Sequence, residues 1–169
     1  HARRQFGTTH RIPVSWRDGP SIRDRPRRGL GYDAAMKLAT WNVNSLKVRL
    51  PQVIDWLAAN QPDALCLQET KTADESFPFA ELEAAGYRAA HNGQKTYNGV
   101  AILYRGGASD ITRDIPGFPD EQKRVVALTL GETRIVSAYM PNGQEVGSDK
   151  YAYKLAWFAA LAAWLGEEL

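Results

Sequence analysis

Cysteine is nearly absent. Cys66 stands alone among 169 residues, which excludes an intramolecular disulfide and any zinc site built on several thiolates. A single thiol fits a reducing compartment. Long apolar runs are lacking too. The longest, 155–165, has 11 residues, whereas a membrane-spanning helix needs about 20, so no span is expected. Histidine is scarce: His1, His10 and His91 are all there is. What is present is ordinary: 44% hydrophobic and 24% charged residues argue for a globular chain of one domain and against a wholly disordered one.

The net charge of +2 hides an asymmetry. Eight of the 21 basic residues and three of the 19 acidic ones fall in 1–35, so that segment carries +5 and the remainder −3. The globular part is mildly acidic, and pI by itself makes no case for nucleic-acid binding. Residues 1–35 follow neither a period of 3.6 nor one of 2, and Pro13, Pro20, Pro26 and four glycines interrupt them. No apolar stretch there resembles a secretory signal. Because the chain starts at His1 and Met36 directly precedes the first patterned strand, 1–35 reads as Arg-rich sequence upstream of a native start. A disordered basic arm is the alternative, and deleting 1–35 is expected to leave the fold of 36–169 intact.

From Met36 onward, strands are expected at 37–43, 63–68, 87–91, 100–104, 125–130 and 134–139. Leu50, Val53, Ile54 and Leu57 recur at helical spacing, with Pro51 placed in the first turn and Asn60 and Pro62 at the end. A weaker helix is expected over 79–85, stopped by Gly86. The segment 131–133 reads as a hairpin turn. A last helix covers 151–169, with Leu155, Phe158, Leu161, Ala162 and Leu165 on a wide apolar face. Strand, helix, strand, helix, several strands and helix suggest a mixed sheet covered by helices. The closing helix reaches the final residue with no C-terminal cap, so the chain reads as cut off.

Polar side chains directly after buried strands mark a ligand cleft in layered sheet proteins. Three such places occur: Asn42 and Asn44 after the first strand, Gln68, Glu69 and Lys71 after the second, Tyr139 and Asn142 after the last. Glu69 either holds a hard cation such as Mg²⁺ or pairs with Lys71 or a helix N-terminus. Asn42 either orients a phosphate or the same ion, or bonds its own turn. Tyr139 either donates to a phosphoryl oxygen or packs as a half-buried ring. His91 beside Asn92-Gly93 reads as a surface turn residue, with general acid–base chemistry as the alternative, and Cys66 between Leu65 and Leu67 as core.

Five segments taken together resemble the exonuclease III family, bacterial apurinic/apyrimidinic (AP) endonucleases of base-excision repair. They are Trp41-Asn42-Val43-Asn44-Ser45-Leu46-Lys47-Val48-Arg49, Leu67-Gln68-Glu69-Thr70-Lys71, Gly93-Gln94-Lys95 with Tyr97-Asn98-Gly99-Val100, Lys123-Arg124-Val125-Val126, and Tyr139-Met140-Pro141-Asn142-Gly143. They occur in the family's order within 36–169, and the helix with Lys150 and Lys154 continues the match. The resemblance implies a four-layered α/β sandwich of the endonuclease/exonuclease/phosphatase type, here about its first half. It implies Mg²⁺-dependent hydrolysis, with Mn²⁺ as a substitute, of phosphodiester bonds in double-stranded DNA at abasic sites and 3′ ends. By position, Asn42 and Glu69 match the family's metal and phosphate site, Tyr139 its active-site tyrosine, and Lys71 the lysine beside the metal carboxylate. Gln94, Lys95 and Tyr97 lie in a loop that faces DNA. A monomer in the bacterial cytoplasm is implied as well.

One departure is large. The family's catalytic aspartate lies in a Gly-Asp-x-Asn segment, and its second metal-side aspartate and its histidine lie in a Ser-Asp-His segment. Neither segment is in this sequence. These residues are therefore expected to be inactive by themselves and only marginally folded, with Val100, Ile102, Val126, Leu128, Ile135, Trp157 and Trp164 as candidates to face water. Two other readings stand beside the nuclease: a sibling phosphoesterase acting on lipid or inositol phosphates, and a non-catalytic DNA-binding half-domain.

Overall fold

The computed structural model describes Thr8–Thr9 and residues 36–168. Eight strands and three α-helices follow one another as β1 (Thr8–Thr9), β2 (Leu38–Asn42), α1 (Leu46–Asn60), β3 (Ala64–Gln68), α2 (Phe79–Ala84), β4 (Arg88–Asn92), β5 (Val100–Tyr104), β6 (Ala108–Arg113), β7 (Val125–Leu130), β8 (Thr133–Ala138) and α3 (Asp149–Glu168). A single 3₁₀ turn, Asp74–Ser76, precedes α2. Apart from Thr8–Thr9, which lie antiparallel on the edge of β2, the segment 1–35 is outside the described residues. No helix among the described residues is long and apolar enough to cross a membrane.

The strands make two sheets, one ordered β1-β2-β3-β5-β4 and one ordered β6-β7-β8. Helix α1 carries the chain from β2 to its parallel neighbour β3, as a parallel pair requires a crossover. All other pairings are antiparallel. Strand β5 lies between β3 and β4 in the larger sheet and is buried along its whole length. Its alternation serves both faces: Ala101 and Leu103 pack with Val53 and Leu57 of α1 and Leu82 of α2, while Val100, Ile102 and Tyr104 face the other way.

That second face meets the smaller sheet. Val126, Leu128 and Leu130 of β7 and Ile135 of β8 close on Val100 and Ile102, forming the inter-sheet core. The outer face of the smaller sheet, Val125 and Ala127, packs on Trp157, Leu161 and Trp164 of α3. The result is helix, sheet, sheet, helix: the four-layered α/β sandwich that the resemblance implies.

The expected exposure of Val100, Ile102, Val126, Leu128, Ile135, Trp157 and Trp164 is not met; all seven are buried. Strands of both sheets are present in the chain, so each sheet has the other as its cover. On α3 the buried stripe is Trp157, Leu161 and Trp164, at i, i+4 and i+7, while Leu155 and Phe158 are exposed. Ser148 starts α3 two residues earlier than expected: its hydroxyl accepts from the Tyr151 N–H at 3.1 Å, an N-cap bond. In α1, Pro51 falls in the second turn rather than the first, because the helix begins at Leu46. Strand β6 was not expected. Three successive positions, Ser109 to Ile111, are exposed, and its register on β7 shifts between Ser109 and Thr112, so pairing rather than a burial pattern makes it a strand.

Inter-sheet burial predicts a local stability map. Leu128→Ala should cost about 2–5 kcal/mol as a buried truncation, whereas Val48→Ala on the exposed face of α1 should stay within about 0.5 kcal/mol. Denaturant unfolding of both variants checks this, and equal effects would mean the two sheets are not packed.

Candidate active site

Strands β2 and β3 run parallel with Asn42 opposite Gln68, so their carboxyl ends lie side by side. Asn42 closes β2, and Glu69 follows β3 directly. Strand β8 of the other sheet ends at Ala138, and the following Tyr139 reaches across. The sheets touch here: Gln68 Nε2 is 3.4 Å from Ser137 Oγ.

The three strand ends converge on one carboxylate. Asn42 Nδ2 donates to Glu69 Oε1 at 2.8 Å, and the Tyr139 hydroxyl donates to the same oxygen at 2.8 Å. Lys71 Nζ lies 3.1 Å from Glu69 Oε2 and donates to Asn44 Oδ1 at 2.5 Å. The Asn42 side-chain oxygen Oδ1 accepts from the Asn44 N–H at 3.1 Å. Of the alternatives the sequence leaves open, the structural ones are seen: Glu69 pairs with Lys71, and Asn42 bonds its own turn while also holding Glu69.

The backbone that aims these groups is unusual. Asn44, Ser45, Glu69 and Lys71 all have positive φ without being glycine, at a typical cost of roughly 1–3 kcal/mol each. Neighbouring chain holds them there. Ser45 N–H donates to Glu69 O at 2.7 Å, Leu46 N–H to Thr70 O at 3.0 Å, Thr70 N–H to Gly99 O at 3.1 Å, and Lys71 N–H to Asn98 O at 3.0 Å. Gly99 has φ +81°, and a Cβ there would sit 2.2 Å from Thr70 Oγ1, so no other residue fits.

Electrostatics follow from these contacts. Burial pushes the Glu69 carboxyl up, but hydrogen bonds from Asn42, Tyr139 and Lys71 and the Lys71 charge outweigh it, and the group is held below its ordinary value. Tyr139 is pushed up by burial and by Glu69, so its hydroxyl stays a donor. Cys66, expected as core, is half-buried and packs against the inter-sheet core; burial of its thiol pushes it up to about 11.

Arg124 belongs to the site, although the segment Lys123-Arg124-Val125-Val126 enters the resemblance with no site role. Its Nη1 donates to the Tyr139 carbonyl at 3.1 Å, and its guanidinium lies 4.9 Å from the centre of the Tyr139 ring. Contacts of this kind join β7 to the end of β8 and carry no local signature. Residues 93–99 link β4 to β5, and Gln94, Tyr97 and Asn98 among them border an open cleft of about 720 Å³, with Arg124, Lys150 and Tyr153 on its other walls. Lys95 and Tyr97 are exposed on that loop. Gln94 is half-buried, and its side-chain oxygen accepts from Asn98 Nδ2 at 2.8 Å and Lys123 N–H at 3.2 Å, bracing the loop from within.

His91 departs from its expected place on a surface turn. It is fully buried in β4, stacked on Phe77 with ring centroids 3.9 Å apart. Nε2 is 3.0 Å from Thr70 Oγ1. Asp74 Oδ1 is 2.7 Å from Nδ1, close in distance but out of line, so Nδ1 makes no straight hydrogen bond. Burial lowers its pKa to about 4, with Asp74 opposing and Arg113 assisting.

Among the described residues, no three His, Cys, Asp or Glu side chains gather as a metal cluster. Glu69 is a lone carboxylate with three donors, and a carboxylate has about four acceptor positions. That donor set fits a hard cation that keeps most of its water and takes one protein carboxylate plus substrate phosphate; it does not fit a closed structural site.

The model of the Endonuclease/Exonuclease/phosphatase family matches residues 39–168. Exodeoxyribonuclease III of Haemophilus influenzae is 35% identical over 142 residues, covering 79% of this chain and 52% of that protein. A 3′ phosphatase from Neisseria, solved with a product DNA hairpin, superposes with TM-score 0.77 at 48% identity over 79% of this chain and 52% of that one. An AP endonuclease from Archaeoglobus fulgidus gives TM-score 0.76 at 36% identity, with the same two coverages. The chain spans about half the length of these relatives.

The His91 environment generates a pH dependence. An unfolded histidine takes its proton near pH 6.5, while buried His91 refuses it until about pH 4. Stability contributed by the neutral ring is complete above pH 6.5 and is lost as pH falls toward 4. Glu69, held low, adds a further loss below its ordinary value of 4.5. Thermal unfolding should therefore show a midpoint that declines between pH 6.5 and 4.5, and His91→Gln should flatten that decline. Equal slopes for variant and parent would show that His91 is protonated in the fold.

Proposed function

The chain belongs to the endonuclease/exonuclease/phosphatase family, and from that footing we propose that it supplies the phosphate-binding side of a DNA repair nuclease. The activity is that of exodeoxyribonuclease III and AP endonucleases: hydrolysis of phosphodiester bonds in double-stranded DNA at abasic sites and 3′ ends, in the bacterial cytoplasm. One observation carries the reading. Donors from both sheets, Asn42 and Tyr139, meet at a single oxygen of an ionised Glu69, with Lys71 on the other oxygen.

Glu69, with the Asn42 carboxamide beside it, is the residue that would hold Mg²⁺ or Mn²⁺, which supplies Lewis-acid polarisation of a phosphoryl oxygen. The chain's own groups do the rest. Tyr139 and Asn42 are preorganised hydrogen-bond donors, fixed before substrate arrives and aimed where negative charge grows in the transition state. Lys71 offsets phosphate charge. Arg124 stacks on the Tyr139 ring and holds its backbone carbonyl, fixing the phenol's direction. Tyr97, exposed at the cleft rim, offers a face on which a base can stack, and Lys95 and Lys150 offer charge for the backbone. Stacking groups of this kind favour a nucleic acid over a lipid or inositol phosphate headgroup. A negative balance of −3 over 36–169 argues against strong DNA binding without a cation.

Hydrolysis also needs a group that deprotonates water. Glu69 is held low by its three donors and is a poor base for that reason. The Gly-Asp-x-Asn segment that would supply the base, and the Ser-Asp-His segment whose histidine would add charge stabilisation, are not in this sequence. These 169 residues by themselves are expected not to incise abasic-site DNA with Mg²⁺; clean incision would place the base among them.

Two substitutions, made in a protein of family length carrying these residues, test the roles. Glu69→Gln keeps the shape and removes the charge a hard cation needs, so half-maximal activity should demand much more Mg²⁺. Unchanged activity across a Mg²⁺ titration would sink the metal assignment. Tyr139→Phe should lower kcat by about 10²-fold, the usual cost of one transition-state donor, with KM within about twofold. A raised KM at unchanged kcat would make Tyr139 a binding contact instead.

A further inference from the structure

Behind the Glu69 carboxylate lies a second polar cluster that the reading above leaves unused. Thr70 is fully buried between Glu69 and Lys71, whose φ values are +56° and +52°. Left-handed backbone on both sides sends the Glu69 and Lys71 side chains out together, where they pair at 3.1 Å, and turns Thr70 inward. Its hydroxyl meets His91 Nε2 at 3.0 Å. His91 in turn presents Nδ1 to Asp74 Oδ1 at 2.7 Å. With a neutral ring facing that carboxylate, the proton is assigned to Nδ1, and Nε2 accepts from Thr70.

Two glycines close the space around this chain of contacts. Gly93 N–H donates to the same Asp74 oxygen at 3.0 Å. A Cβ on Gly93 would stand 2.4 Å from His91 Cε1, 2.6 Å from Thr72 O and 2.8 Å from Asp74 Oδ1. A Cβ on Gly99 would stand 2.2 Å from Thr70 Oγ1. Packing alone does not call for such an arrangement. Apolar side chains would fill the same volume beside Phe77 without desolvating an imidazole and a hydroxyl.

We propose that Thr70, His91 and Asp74 are positioning residues for the active-site carboxylate. By anchoring Thr70 inward, they hold Glu69 and Lys71 in left-handed backbone and so aim Glu69 at Asn42 and Tyr139. None of the three touches substrate. Their use in hydrolysis rests on the reading of Glu69 as the residue that holds the cation, whereas the aim itself is a property of the fold. If Thr70 lost its inward anchor, the strained backbone on either side would relax, and Glu69 would leave its two donors.

The test uses this chain, labelled with ¹⁵N. The Asn42 side-chain amide is the key signal, because it bonds Glu69 and does not touch Thr70, so a local packing defect leaves it in place. Thr70→Val is isosteric and removes the hydroxyl; Thr70→Ser keeps it. Thr70→Val should shift the Asn42 side-chain amide and the Glu69 and Lys71 backbone amides, and Thr70→Ser should restore them. Mn²⁺ titration, read by paramagnetic broadening around Glu69, should require at least fivefold more metal in Thr70→Val and no more than twofold more in Thr70→Ser. Absence of broadening in the parent chain would overturn the cation reading of Glu69 while leaving the amide signals to decide the positioning role. If Thr70→Val fails to fold, Asp74→Asn serves instead, since the Asp74 side chain is 56% exposed and its change spares the core. It should move the same signals in the same direction by a smaller amount. Signals unmoved in Thr70→Val, or in Asp74→Asn where Thr70→Val is unfolded, would overturn the proposal. So would Thr70→Ser signals displaced as far as those of Thr70→Val.

Discussion

An ionised carboxylate at the junction of two sheets is the constraint on which this structure turns. Glu69 loses part of its water on folding, and that loss favours the neutral acid. It stays charged because three donors reach it: Asn42 from the neighbouring strand, Lys71 from its own loop and Tyr139 from the opposite sheet. No one sheet could provide all of them. The face-to-face packing of the sheets is therefore a condition of the site, and the site is an electrostatic link between the sheets.

Packing of the layers makes that meeting possible. The parallel pair β2 and β3 places two carboxyl ends together through α1. Strand β5, buried along its length, separates the helix-facing core from the inter-sheet core. Strands β7 and β8 then cover the inner face and deliver Tyr139 to the same corner. Positive φ at Asn44, Ser45, Glu69 and Lys71 is the local cost of turning the side chains into one place. Backbone bonds from residues 98–99 and the anchor at Thr70 hold that cost in check. Gly99 is required on two counts, its own φ of +81° and the room it leaves for Thr70 Oγ1.

Much was legible along the chain. Strand positions at 100–104 and 125–130 are read from short β-branched and apolar runs, and the structure keeps those bounds. Asn42, Glu69 and Tyr139 stand out because polar groups after apolar strands are costly unless something needs them. Elements and residues made by partners were not legible. Strand β6 has an exposed, polar sequence and exists through its pairing with β7. Burial of Trp157 and Trp164 rather than Leu155 and Phe158 depends on which side of α3 the smaller sheet occupies, and the unbroken apolar run 155–165 does not say. Arg124, Thr70 and Asp74 act through neighbours distant in sequence, Tyr139 and His91 among them.

By itself, the sequence determined the alternation of strands and helices, the strand ends that carry polar chemistry, and the family likeness, because each is written in a local pattern of burial and residue type. Tertiary structure alone decided that Asn42, Glu69 and Tyr139 meet at one oxygen, that Gln94 braces a loop from within, and that His91 is a buried partner of Thr70 rather than a turn residue. The reason is physical: those outcomes depend on the packing of two sheets across a shared core, which brings together groups up to 70 positions apart.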